Sequence, residues 1–176
     1  MKVVYGALLA LVLAFSAAPA WADFAAGRTA YEQGDFRTAR EQWSALAEAG
    51  DATAQAALGS LYIHGEGVPI DYGAALKWTR LAAEQGEVTG QFNMGSIYAG
   101  GLGVERDYSE AARWFRLAAD QGDANAQYNV GVMYEYGRGV PEDDAEAVRW
   151  YRLAAEQGYA RAQYNLGVNY DFGQGV

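Results

Sequence analysis

The 176-residue chain has no cysteine, one histidine and three prolines. Without cysteine there is no disulfide framework, no thiolate zinc site, no cysteine nucleophile and no thiol to carry a lipid. With His64 alone, a metal site built on two or three imidazoles of one chain is excluded, and a Ser-His-Asp triad has only that residue to form around. Lys2 and Lys77 are the only lysines and neither lies three residues after a serine, so Ser-x-x-Lys is missing, as is Gly-x-Ser-x-Gly. No pair of acids is set apart as glycosidase chemistry requires. The expectation is a protein that is not an enzyme, with no catalytic residue, no cofactor and no metal ligand; His64, at a helix-loop junction, reads as a solvated surface histidine.

Positive charge is scarce too: 13 Lys and Arg stand against 22 Asp and Glu, a formal charge of −9. Such a surface repels nucleic-acid phosphates and anionic lipid, and no basic stripe interrupts it. Long apolar runs are limited to one, Val3 to Phe15, preceded by Lys2 and followed by Ala20-Trp21-Ala22. A basic start, an apolar run and small residues around a cut make a signal peptide, with cleavage expected after Ala22. The run falls short of the roughly 20 apolar residues of a spanning helix, so a membrane anchor is the lesser reading. The expected product is secreted across the inner membrane, soluble, periplasmic or extracellular, with no membrane insertion after cleavage and a formal charge of −10.

What the chain has in abundance is repetition. A step of 36 residues links Gly59 to Gly95, Gly131 and Gly167, Tyr62 to Tyr98, Tyr134 and Tyr170, and Trp78 to Trp114 and Trp150. Units of this size bury their apolar faces only against neighbours. The organisation expected is a leader at 1–22, a capping helix pair at 23–50, full repeats at 51–86, 87–122 and 123–158, and an incomplete repeat at 159–176 holding only its first helix.

Within a repeat, the first helix (helix A) is expected over Ala52 to Ile63, Val88 to Ala99, Ala124 to Glu135 and Ala160 to Asp171, each after a Gly turn and, in the first three, an acidic cap. Its core stripe is Ala54, Leu58 and Tyr62 and their equivalents. Glycine inside these helices costs about 1 kcal/mol against alanine, so its recurrence at Gly59, Gly95 and Gly131 implies a close helix crossing. A two-glycine loop such as Gly137-Arg138-Gly139-Val140 follows. No strand precedes it, so a phosphate-binding role is disfavoured against positive φ with the valine on the core. Asp71, Asp107 and Asp143 then cap the second helix (helix B). The acids around Asp143 follow the helix dipole and read as caps rather than as a calcium site. On helix B small residues alternate with rings, Ala111, Trp114, Phe115 and Ala118 for instance, in the spacing of a packed seam.

The opening unit, A-Y-E-Q-G-D-F-x-x-A, resembles a tetratricopeptide repeat. The pattern A-Q-Y-N-x-G-x-x-Y-x-x-G-x-G-V-x-x-D-x-x-x-A-x-x-W-Y-x-x-A-A, legible from Ala126 to Ala155 and with small changes from Gly90 to Ala119, resembles Sel1-like repeats. The likeness covers Ala47 to Val176. It implies an all-α fold, a right-handed α-solenoid of antiparallel helix pairs with helix A on the concave side. It also implies a non-enzymatic adaptor or regulator that binds other proteins, often in bacterial envelopes. One exported branch of the family is cysteine-rich and associated with β-lactam binding or hydrolysis. This chain departs from that branch in having no cysteine, and a β-lactam-associated hydrolase or small-molecule binder is the alternative function.

The face of helix A opposite the core stripe supplies the candidate partner-binding residues: Phe92 and Ser96; Asn125, Tyr128, Val132, Glu135 and Tyr136; Arg161, Tyr164 and Phe172. Phe92, Tyr128 and Tyr164 are expected as an exposed ladder of the composition found at protein-binding hot spots, suited to a peptide segment or helix of another protein. The competing reading has the tyrosine of A-Q-Y-N bracing adjacent helices. At the end of the chain helix A of the last unit is expected to leave Leu166 and Tyr170 uncovered, to be met by a partner, by self-association or by a continuation of the chain.

Overall fold

The computed structural model describes residues 18–19 and 21–175. The expected apolar run of the leader, Val3 to Phe15, lies outside the described residues, which contain no helix long and apolar enough to cross a membrane. Nine α-helices and no strand make up the described residues: α1 (Phe24–Glu32), α2 (Phe36–Glu48), α3 (Ala52–His64), α4 (Tyr72–Glu84), α5 (Val88–Gly100), α6 (Tyr108–Asp120), α7 (Ala124–Glu135), α8 (Asp144–Glu156) and α9 (Ala160–Phe172). Each packs on the next and α3 also touches α5, so the chain is an all-α solenoid of antiparallel helix pairs.

The capping chemistry starts the helices where expected. Asp51 and Asp123 accept from Ala54 and Ala126 N–H at 2.7 Å, and Asp71 and Asp143 accept from Ala74 and Glu146 N–H at 3.0 Å. Asp143 thereby takes the role of a cap, and Glu146 is bound to Arg149 at 2.9 Å. At the far ends Gly65, Gly101 and Gly173 take the left-handed conformation, and α3, α5 and α9 run one residue beyond their expected limits to reach them. Helix α7 stops at Glu135, because Tyr136 sits at φ −110° and the left-handed turn waits for Gly137.

The core comes from helix B packed on helix A. Ala75, Ala111 and Ala147 are fully buried, and between them and Ala82, Ala118 and Ala154 lie Thr79, Phe115 and Tyr151, also buried. In the N-terminal pair, Trp43 stacks on Phe24 and meets Tyr31, both at 5.7 Å between centroids, and its indole N–H donates to the Phe24 carbonyl. The Tyr31 hydroxyl donates to Glu66, tying this pair to the first glycine loop.

The second glycine of each loop has a further purpose besides its positive φ. A Cβ on Gly139 would collide with the Tyr108 carbonyl and the Ser109 nitrogen, so this loop lies directly on the first turn of the preceding helix B.

A spine of glutamines runs along the other edge of the stack. The Gln85 amide donates to Gln55 at 2.7 Å, Gln121 to Gln91 at 2.7 Å and Gln157 to Gln127 at 2.8 Å. The inner member of each pair turns its own amide to a carbonyl at the end of the preceding helix B: Gln55 to Ala47 and Gln127 to Ala119. Buried amides are stable only when satisfied in this way. Gln127→Leu removes the acceptor of Gln157 and the donor to Ala119, and is expected to lower stability by about 1–2 kcal/mol in urea denaturation. An unchanged midpoint would show that the spine adds nothing.

Candidate functional site

Helix A presents its solvent side through α3, α5, α7 and α9, and the candidate residues divide there into two groups. Phe92 and Tyr128 are half-buried. The Phe92 ring lies 5.6 Å from Phe115, and Tyr128 lies 5.7 Å from Tyr151 and 5.2 Å from Tyr159. The expected exposed ladder is therefore corrected at these two positions: each ring leans into the crossing opened by the glycine three residues on, Gly95 or Gly131, and braces helix B of its own repeat. Ala56, the equivalent in the first full repeat, is buried as well. Glu135 is also drawn into packing, since its carboxylate accepts from the Tyr151 hydroxyl at 2.7 Å. Burial pushes the Tyr151 phenol well above its ordinary pKa, and the neighbouring carboxylate adds to the shift, so Tyr151 stays a neutral donor.

Ser96 is half-buried with its hydroxyl donating to the Phe92 carbonyl, and Val132 is half-buried against the cluster around Tyr151. The second group remains accessible. Asn125 and Arg161 are exposed at the start of α7 and α9. Tyr136, Tyr164 and Phe172 are 58%, 73% and 77% exposed, and the Arg138 guanidinium lies 5.2 Å from the Tyr136 ring centre. Tyr164 occupies on α9 the place of Tyr128 on α7, and no ring meets it among the described residues. His64 is exposed, its Nδ1 2.9 Å from the Ser60 carbonyl oxygen. Leu166 is half-buried and Tyr170 half-exposed, with its hydroxyl accepting from Arg152 at 2.8 Å. Among the described residues no three acidic or imidazole groups converge as metal ligands would.

On the helix B side the structure assembles groups that the sequence pattern did not single out. Arg149 and Arg116 both lie over the Trp150 ring, at 4.5 and 4.7 Å from its centre, one from the same helix and one from the neighbouring α6. Carboxylates hold them there: Glu146 binds Arg149, and Asp120 binds Arg116 at 3.0 Å. At Trp114 the adjacent Arg113 lies 4.1 Å away, and at Trp78 the adjacent Lys77 lies 4.3 Å away. Between α2 and α4 an apolar cleft of about 500 Å³ opens over Trp78. The signal for these contacts was the 36-residue recurrence of the basic residues, which shows its meaning only when adjacent helices B are seen side by side.

The Sel1 repeat family model matches residues 52–87, 88–123, 124–159 and 160–176. Among solved structures, the chain is similar to a protective antigen present in uropathogenic Escherichia coli strains and displaying an SLR fold, with 39% identity and a TM-score of 0.80 over 87% of this chain and 34% of that one. It is also similar to a Sel1 repeat protein from Oxalobacter formigenes, with 36% identity and a TM-score of 0.77 over 88% of this chain and 66% of that one. A putative Sel1 repeat protein from Klebsiella pneumoniae, 20% identical with a TM-score of 0.53 over 80% of this chain and 73% of that one, shares the fold. The chain thus spans about a third of the first of these proteins and about two thirds of the second. No curated protein matches it.

Proposed function

Because this chain belongs to the Sel1 repeat family, whose members are generally protein-interaction scaffolds, we propose that it is a non-enzymatic adaptor, exported across the inner membrane, that grips a segment or helix of an envelope protein on its helix A side. In this reading α1 and α2 cap the stack. The observation that carries it is the trio Tyr136, Tyr164 and Phe172, three large exposed rings, the first just past the end of α7 and the other two on α9. Rings with one apolar face and little rotamer entropy to lose are the side chains that interfaces concentrate. Asn125 and Arg161, exposed at the starts of α7 and α9, offer polar groups on the same helix A side. No observation favours the β-lactam-associated alternative.

The test uses the residues that packing does not consume. Tyr136→Ala with Phe172→Ala is expected to abolish capture of the partner that the wild-type protein retains from periplasmic extract. The helical circular-dichroism signal and the melting temperature should be unchanged. Undiminished capture by the double variant would remove the helix A reading. Tyr128→Ala is unsuitable for this purpose, since its ring supports Tyr151.

A further inference from the structure

The cleft over Trp78 lacks a residue that α6 supplies to the Trp150 ring. Helix α6 supplies Arg116, held by Asp120 one turn later, to the Trp150 ring of the next repeat. Seventy-two residues earlier in the period, the matching positions on α2 are Ser44 and Glu48, and Glu48 lines the cleft with Trp78 of α4. The carboxylate is kept and the arginine is missing. Glu48 is exposed and makes no ion pair among the described residues, and Trp78 is half-buried where Trp150 is 2% exposed.

The rest of the cleft is built like the occupied one. Lys77 lies over Trp78 as Arg149 lies over Trp150, so one cation beside the ring does not bar a second. Ala47 and Leu81 form apolar walls that suit the methylene stem of a long side chain, and Glu84 adds a second carboxylate at the rim. An aromatic face, an unpaired carboxylate and apolar walls together match a planar guanidinium better than a compact, strongly hydrated ammonium. We propose that this cleft docks an arginine side chain carried on a segment of a partner protein. The guanidinium lies on Trp78 and pairs with Glu48, in the arrangement that Arg116 makes within the chain. The site lies on helix B and does not depend on the helix A reading.

The test titrates the full chain with the acetylated, amidated pentapeptide Ala-Leu-Arg-Leu-Ala and with its citrulline analogue, which keeps the shape and loses the charge. Binding is followed at the Trp78 indole N–H by heteronuclear NMR, the signal being assigned through Trp78→Phe. The arginine peptide is expected to shift that signal saturably and to bind about tenfold more tightly than the citrulline peptide, as a partly exposed cation–π contact and one ion pair together imply. Ser44→Arg, which fills the vacancy from the chain itself, should abolish the shift without lowering the melting temperature, and Glu48→Gln should weaken binding several-fold. Tyr136→Ala should leave the titration unchanged. Absence of a saturable shift at Trp78, equal affinity for the two peptides, or full binding by Ser44→Arg would each overturn the proposal, whatever the helix A side binds.

Discussion

Gly131→Leu is expected to lower the stability of the stack by about 3 kcal/mol or more, and the thermal midpoint by roughly 6–12 °C. At Gly131 helix α7 crosses α8 so closely that an added Cβ would stand 2.6 Å from the Cδ1 and Cε1 atoms of Tyr151. The ring has nowhere to retreat. Tyr151 is fully buried, its hydroxyl is bound to Glu135, and Tyr128 lies against it. Relief therefore has to come from separation of the two helices, which breaks the packing that defines the repeat. Gly167 is the built-in control, since it holds the same position on α9 and a Cβ added there would meet nothing within 4 Å among the described residues. Gly167→Ala gains helix propensity without a clash and is expected to raise stability by up to about 1 kcal/mol. Differential scanning calorimetry of the two variants should move in opposite directions. A shift of the same sign in both would show that backbone propensity, not the crossing, sets the cost at Gly131.

The crossing itself was legible from sequence, because a helix-interior glycine that returns every 36 residues has no local reason to be there. The residue opposite it was not. Which of Trp150 and Tyr151 meets Gly131 depends on the rotation of α8, and two adjacent rings leave that rotation undetermined. The same ambiguity misplaced Phe92 and Tyr128. Both lie opposite the helix A core stripe, where a helical projection assigns them to solvent, while the missing side chain at the nearby glycine lets helix B come close enough to cover them. Gln127 was invisible for another reason. An amide reads as a surface residue until its partner is known, and Gln157, thirty residues on, becomes its neighbour only through the fold. Caps and core alanines were legible because their causes are local: Asp143 precedes the amide it accepts from by three residues, and Ala111 has no alternative to burial between rings.

Trp150→Ala is expected to cost about 3–5 kcal/mol, the range for deleting a large buried aromatic side chain. The indole is 2% exposed and sits in the cluster of Ala118, Val130 and Met133, with two guanidiniums over its ring. Truncation opens a cavity in that cluster and removes the cation–π contacts, while Arg116 and Arg149 keep their carboxylates. Trp150→Phe separates these contributions. The indole Nε1 is buried with no hydrogen-bond partner among the described residues, so its loss removes an unsatisfied donor rather than a hydrogen bond. The remaining phenyl ring still fills much of the site and still faces the two arginines. Phenylalanine should therefore cost only about 1–2 kcal/mol in guanidinium denaturation, well below alanine. Equal losses for the two variants would show that the second indole ring, and not aromatic contact in general, secures the seam between α6 and α8. Trp78→Ala should fall below Trp150→Ala as well, because a half-exposed ring in an open cleft has less burial to lose.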